Sequence, residues 1–412
     1  DSCIVCAERQ GRRKEGVPHG MFKKMKQVSH KNVNHQLLHT PEGVRDIYGK
    51  EYAEKLCVED TIHRKLNLYG YQDIQTPTFE FFDVFSREIG TTPSRELYKF
   101  FDKEGNTLVL RPDFTPSMAR CAAKYYMDED IPIRFCYVGN TFTNTGSLQG
   151  KLKEVTQMGA ELIGDGSPQA DGEMIAMVVE SLLAAGLKNF QVSVGEMEYF
   201  KGICEQAGLD DETESDLREF ISGKNLFGAQ ELLTGKGISS SCAEMLLKVT
   251  EHFGSVQILD EARALAGNKR SLAAIDRLHE LYHVLCEYGV ERYVSFDLGM
   301  LSKYHYYTGV IFKVYTYGVG EPIVKGGRYD NLLGYFGKNA PAIGFAVVID
   351  DLLAALERQK AAPKTENHLT CLTYNASNYE EMLSRAKRLR EKGQKTVLMP
   401  ERPNIGGGEE HV

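Results

Sequence analysis

Cys3 and Cys6 form a Cys-x-x-Cys pair, and theirs is the spacing in this 412-residue chain that most directly suggests chemistry, that of a thiolate metal site. A structural zinc centre needs about four ligands. No second Cys-x-x-Cys follows, and the eleven histidines are not read as a ligand set, so no metal site is expected. Phosphate-binding P-loops, dinucleotide fingerprints and nucleophile elbows are also missing. The other candidate side chains stand in four short segments: Asp113 in LRPDFT, Gln157 and Glu161 in QMGAE, Tyr306 and Tyr307 in YHYYTG, and Arg328 in GGRYD. Carboxylates, an amide, phenols and a guanidinium hold a polar ligand by directed hydrogen bonds. They do so only if the fold gathers them.

Four segments this far apart need a sizeable scaffold, and an apolar content of 42% over 412 residues is ample for two or three domains. No apolar run approaches the roughly 18 residues of a membrane span, and no signal-peptide core lies near the start. A cytoplasmic protein is expected, with nine scattered cysteines kept reduced. Residues 1–35 carry eight Lys/Arg against three Asp/Glu, so the rest is more acidic than the net −8. An acidic body offers no electrostatic footprint for nucleic acid.

The first 35 residues lack a sustained apolar period and are expected to be a disordered basic extension, with Met21 a plausible initiator. Apolar residues at helical spacing predict a helix over roughly 50–68. Tyr71–Phe79 reads as a strand that Pro77 bends or confines to an edge. Phe135–Gly139 and Lys153–Ile163 read as strands joined by a polar loop, and Ser167-Pro168 opens a helix that Gly186 closes. Residues 196–290 read as a helical insertion. Strands resume at Tyr293–Leu298, Gly309–Tyr317 and Ala342–Ile349, with a glycine turn at Gly326-Gly327. Alternating strands with short connections favour an antiparallel sheet flanked by helices, an α+β fold. A polar linker at 360–368 leads to a strand–helix–strand pattern over 369–412, a partial α/β domain.

In register, LRPDFT, QMGAE, YYTGVIF, GGRYD and AIGFAVVIDDLL resemble histidyl-tRNA synthetase, a class II aminoacyl-tRNA synthetase, over residues 40–357. That resemblance implies a class II synthetase-like domain over 36–359. Such enzymes grip ATP and the adenylate with arginines, whose planar fork pairs bidentately with phosphate. Where the family reads Phe-Arg-x-Glu, this chain has Phe142-Thr143-Asn144-Thr145, and Val155 replaces the adenine-stacking aromatic. Gly-Leu-Glu-Arg becomes Val348-Ile349-Asp350-Asp351, and Ser302 stands where the histidine-specific motif has its Arg.

Losing one such donor typically reduces rate about 10²–10³-fold, so Thr143, Ser302 and Asp351 argue against a working ligase. The positions that contact histidine in the family are better kept. By resemblance Asp113 and Gln157 would accept from an ammonium, Glu161 and a Tyr306 or Tyr307 hydroxyl would bracket an imidazole, and Arg328 would orient the floor. A retained scaffold without the arginines resembles the regulatory-subunit family of ATP phosphoribosyltransferase. This implies a homodimer formed around Thr76–Phe85 within a hetero-oligomer, partnered by a short-form catalytic subunit, with histidine as effector. It also implies no cofactor of its own and no tRNA partner. A divergent histidine–tRNA ligase is the alternative.

Overall fold

Helix α1 (Gly49–Leu68) is the first α-helix in a computed structural model that describes residues 38–85, 92–129, 132–146, 151–302, 306–365 and 369–401. Cys3, Cys6, Met21 and the basic extension, Lys303–His305 and the last eleven residues lie outside them. The chain divides by internal contacts at Pro41, and every element from α1 onward belongs to the unit Glu42–Val412.

After α1 come β1 (Gln72–Asp73), β2 (Phe79–Phe81), β3 (Lys99–Phe101), β4 (Thr107–Leu110), α2 (Thr115–Tyr125), β5 (Ile133–Phe142) and β6 (Glu154–Ile163). The single strand expected over Tyr71–Phe79 is therefore two short pieces that join different sheets. Pro77, between them, has no N–H for a ladder. Next come α3 (Pro168–Ala184) and β7 (Phe190–Glu196). The Ser167 hydroxyl caps α3 by accepting from the Ala170 N–H at 3.2 Å, and Gly186 takes φ +100° just beyond it.

The expected insertion consists of α4 (Met197–Gln206), α5 (Asp211–Ser222), α6 (Leu226–Gly235), α7 (Ser240–Lys248), the two-residue β8 (Phe253–Gly254), α8 (Ile258–Leu265) and α9 (Lys269–Glu287). Beyond it lie β9 (Val294–Asp297), β10 (Val310–Thr316), β11 (Val324–Arg328), β12 (Ala342–Val348) and α10 (Ile349–Arg358). The chain continues through β13 (Thr370–Tyr374), α11 (Tyr379–Glu391) and β14 (Thr396–Pro400), whose two strands pair parallel.

Nine strands form the main sheet in the order β1-β5-β6-β12-β11-β10-β7-β9-β8, and β2-β4-β3 form a smaller one. The six strands from β5 to β7 are antiparallel neighbours; the pairs β1–β5 and β7–β9 are parallel. Side chains alternate across the pleat. Met158, Ala160 and Leu162 of β6 enter the larger core beneath α1, α3 and α9, while Ile163 and Tyr137 enter a second core with α2 residues and Leu332. The α+β expectation of an antiparallel sheet with flanking helices is thus what the chain forms. Gly326 and Gly327 depart from expectation, because they lie inside β11 rather than at a turn. A Cβ at Gly326 would meet the Phe312 ring at 2.3 Å, and one at Gly327 the Tyr307 ring at 2.7 Å. Their smallness admits aromatic rings rather than a reversal of the chain. Among the described residues no helix is long and apolar enough to cross a membrane.

Candidate functional site

Glu161, in the middle of β6, is buried to 1% exposure on the α2 side of the sheet. Its Oε1 accepts from the Thr115 hydroxyl at 3.1 Å, and its Oε2 accepts a short hydrogen bond from the Tyr329 hydroxyl. Burial raises its pKa to about 8, with a further push from the Asp113 carboxylate and partial opposition from the Tyr329 and Thr115 hydrogen bonds. At neutral pH this carboxyl is mostly protonated in the free protein. The backbone is fitted around it, since a Cβ on Gly344 of the neighbouring β12 would lie 1.6 Å from Glu161 Oε2.

Gln157 lies four residues earlier on the same pleat face, and its Oε1 is buried without a hydrogen-bond partner among the described residues. A buried, unpaired amide oxygen is unfavourable unless a donor arrives. Asp113 uses one oxygen to accept from the Thr115 N–H at 3.1 Å at the start of α2 and stands close enough to Glu161 to influence its charge. The Tyr306 and Tyr307 rings pack 4.5 Å apart between centres, tilted by 41°, and Tyr306 meets Tyr329 edge-on at 6.1 Å. Phe114 stacks on Tyr137 at 4.2 Å and closes the site from α2.

The fold therefore brings Asp113, Glu161, Tyr306 and Tyr307 together around one polar cluster, with Gln157 on the same face of β6 but about 13 Å along the strand, and leaves Arg328 out of it. The Arg328 guanidinium turns to α3, where its Nε donates to Asp171 Oδ1 at 2.9 Å and its Nη1 donates to Asp330 at 3.1 Å and to the Asp165 carbonyl at 3.1 Å. Asp171 is fully buried and is also bound by Arg277. Arg328 thus pins the sheet to its helical layer. Tyr329 and Thr115 are the Glu161 partners that sequence reasoning missed. Both signals were available: Thr115 ends the segment that contains Asp113, and strand alternation sends Tyr329 to the face opposite Arg328.

On the other side of the sheet's end, the positions where the resemblance puts arginines hold Thr143, Ser302 and Asp351. The Thr143 N–H donates to the Lys153 carbonyl at 2.9 Å, closing the top of the β5–β6 hairpin. Ser302 is buried. Asp350 and Asp351 occupy the first turn of α10, where carboxylates suit the helix dipole. The Asp350 carboxylate accepts the Thr156 N–H at 2.7 Å. Burial raises the Asp351 pKa, and Asp350 adds to it. Lys151, a possible substitute cation, pairs with Glu321 at 3.0 Å. Arg111, beside the site, donates to the carbonyls of Thr76, Pro77 and Asn140 and lies 4.1 Å from the Phe114 ring centre, so its fork is already used. Arg45 also stands on this side, paired with Glu51 and 3.9 Å from Asp350. Among the described residues a triphosphate would meet two carboxylates here and guanidinium groups already engaged with protein partners.

A further string that sequence reading passed over is His279-Glu280-Leu281-Tyr282-His283 on α9, which matches the H-E-x-x-H metal-binding pattern. Its His279 points to Asp260 at 3.8 Å. The structure gathers no third ligand there, and a ligand cluster among the described residues lies elsewhere.

An antiparallel sheet with a buried Glu-Tyr-Thr cluster on one face and helices on the other is the architecture of a class II synthetase-like protein. The histidyl-tRNA synthetase family model matches residues 43–352. A histidyl-tRNA synthetase from Nostoc sp. PCC 7120 superimposes with a TM-score of 0.75 over 89% of this chain and 87% of its own, at 19% identity, which is likeness of fold.

Closer matches narrow the class. The ATP phosphoribosyltransferase regulatory subunit of Ruminiclostridium cellulolyticum is 41% identical over 87% of this chain and 85% of its own length. That of Acetivibrio thermocellus is 40% identical over 86% and 85%. A Bacillus halodurans crystal structure described as an ATP phosphoribosyltransferase regulatory subunit/histidyl-tRNA synthetase matches with a TM-score of 0.80 and 34% identity, covering 88% of this chain and 93% of that one. The chain belongs to the histidyl-tRNA synthetase-like family of ATP phosphoribosyltransferase regulatory subunits.

Proposed function

We propose that this protein is a non-catalytic regulatory subunit that assembles with a short-form ATP phosphoribosyltransferase catalytic subunit. In that complex the catalytic subunit transfers the phosphoribosyl group from phosphoribosyl diphosphate to ATP, the first step of histidine biosynthesis, and this chain makes the step sensitive to histidine. The observation that carries the reading is the division within one site. The imidazole-side cluster of Glu161, Tyr329 and Thr115 is intact, while Thr143, Ser302 and Asp351 stand where arginines would hold a triphosphate. We assign the role to residues 36–359, with 196–290 as an inserted helical region and, beyond the linker 360–368, residues 369–412 as a partial α/β unit.

A homodimer formed around Thr76–Phe85 is part of the proposal. The small sheet there exposes Phe79 at 51%, Phe81 at 57% and Phe101 at 72%, an apolar surface that a second copy would cover. Mixing the purified chain with a short-form catalytic subunit tests the whole. Formation of phosphoribosyl-ATP should rise on addition of the chain and fall on addition of histidine. A rate unaffected by the chain, with and without histidine, removes the proposal.

A further inference from the structure

Three side chains far apart in sequence converge where α1 crosses the first strands of the main sheet. His63 comes from α1, Asp73 from β1 and Cys136 from β5, with Asp73 directly opposite Cys136 in the parallel register. His63 Nε2 lies 2.5 Å from Asp73 Oδ1, the Cys136 Sγ lies 3.4 Å from the same oxygen, and all three donor atoms fall within 4.8 Å of one another. Each residue stands on a regular element. Cys136 is buried, while the Asp73 and His63 side chains are 65% and 37% exposed, so the cluster opens to solvent on one side. A second feature addresses the sulfur itself. The Asn67 side-chain amide donates to Cys136 Sγ at 3.8 Å while its position is fixed by a 3.0 Å bond to the Tyr71 carbonyl. An N–H directed at sulfur orients it as a ligand, while burial and the neighbouring Asp73 carboxylate keep the free thiol protonated until a metal displaces the proton.

The geometry points to His63, Asp73 and Cys136 as a three-ligand site for a borderline-soft divalent metal ion of the zinc class, with solvent in the fourth position. One imidazole, one carboxylate and one thiolate suit zinc or cobalt(II) and do not suit magnesium or calcium, which take oxygen ligands. Zinc bonds of about 2.0–2.3 Å at tetrahedral angles place an oxygen and a sulfur roughly 3.6 Å apart and an oxygen and a nitrogen roughly 3.4 Å apart. The Cys136–Asp73 separation already meets the first value. The His63–Asp73 pair must open by about 1 Å, which two exposed side chains achieve by rotation. Binding exchanges the thiol proton for the metal and releases that proton to solvent, with no change of oxidation state. The competing account is a surface His–Asp ion pair above a core cysteine, in which sulfur never meets a metal.

Cobalt(II) separates the two accounts, because a cobalt–thiolate bond gives a near-ultraviolet charge-transfer band and a His–Asp pair does not. The experiment uses the full chain carrying Cys3→Ser and Cys6→Ser, which removes the other thiol pair. Adding cobalt(II) should produce the band at one equivalent, and zinc should displace it. His63→Ala and Asp73→Asn alter exposed side chains, and each should weaken zinc binding at least tenfold in a competition titration with a chelating dye. Cys136→Ala should abolish the band; circular dichroism checks its fold, and the two exposed variants decide the matter if it unfolds. No thiolate band in the parent protein, or zinc affinity unchanged in both His63→Ala and Asp73→Asn, overturns the inference.

Discussion

Replacing Glu161 by Gln keeps the shape of the buried side chain and removes its ability to ionise, which makes it the most informative perturbation of the site. The free protein holds this carboxyl at a pKa of about 8, chiefly through burial. An unbound imidazole titrates near 6.5. Around pH 7, free protein and free ligand therefore contribute one proton together, on the carboxyl. The bound pair also holds one proton, now on an imidazolium facing a carboxylate. Hydrogen bonds to a charged partner contribute about 1.5–3 kcal/mol, so Glu161→Gln should weaken histidine binding roughly 10- to 150-fold at pH 7. The ratio of wild-type to variant affinity carries a sharper signature. Below pH 8 the free carboxyl already holds the shared proton, so the ratio is flat. Above pH 8 that proton must be taken from water, and the ratio should fall about tenfold per pH unit. Titrations of the ligand itself cancel in the ratio. Calorimetry of the assembled complex from pH 6.5 to 9 with both proteins provides the test. Equal affinities at pH 7, or a ratio that does not change across pH 8, would falsify the imidazole–Glu161 pairing and place the effector elsewhere in the assembly.

The remaining expectations concern the lost chemistry and the scaffold. Histidine-dependent ATP–pyrophosphate exchange by the isolated chain should stay at background, and Asp351→Arg alone should not restore it, because Thr143 and Ser302 still lack the other two forks; exchange above background defeats the reading. Gly344→Ala puts a methyl group 1.6 Å from Glu161 Oε2, and overpacking of this kind costs about 1–3 kcal/mol. Urea unfolding should show that loss, and histidine affinity should fall at least tenfold. Arg328→Met leaves the buried Asp171 with Arg277 alone, and breaking a buried pair costs about 3–5 kcal/mol. The folded fraction of Arg328→Met should bind histidine within about twofold of wild type, since Arg328 lies outside the polar cluster.

Long-range order was legible wherever local signals were strong. Ser167-Pro168 and Gly186 marked α3 because a cap, a fixed φ and a left-handed residue act within a few positions. The strand expected over Lys153–Ile163 is β6, Glu154–Ile163, within one residue. What stayed hidden depended on which residues the sheet sets side by side. The GGRYD segment looked like a turn because glycines usually punctuate chains, and only the register of β11 against β10 and β12 shows that Gly326 and Gly327 make way for Phe312 and Tyr307. The same register decides that Arg328 serves α3 and Tyr329 serves Glu161. His63, Asp73 and Cys136 form no sequence motif, because a helix, a strand and a parallel neighbour bring them together only in three dimensions.

Glu161 also bears on whether the site is merely a leftover of a synthetase. A buried carboxyl whose pKa rises by several units carries a desolvation penalty at neutral pH, either as charge or as the proton it must hold. Three other positions are committed to it: a glycine at 344 to admit its oxygen, and hydroxyls at Thr115 and Tyr329 to bind it. Replacing such a cluster with packed apolar residues is often neutral or stabilising, so stability alone gives no reason to keep it. On the proposed reading catalysis gives none either, because Thr143, Ser302 and Asp351 stand where the resemblance puts the arginines that grip ATP. About 13 Å along the same face of β6, Gln157 holds a buried oxygen with no hydrogen-bond partner among the described residues. On the proposed reading, a site that has Thr143, Ser302 and Asp351 in place of arginines yet keeps a buried Glu-Tyr-Thr cluster would recognise an amino acid without activating it, which is the chemistry a feedback sensor requires.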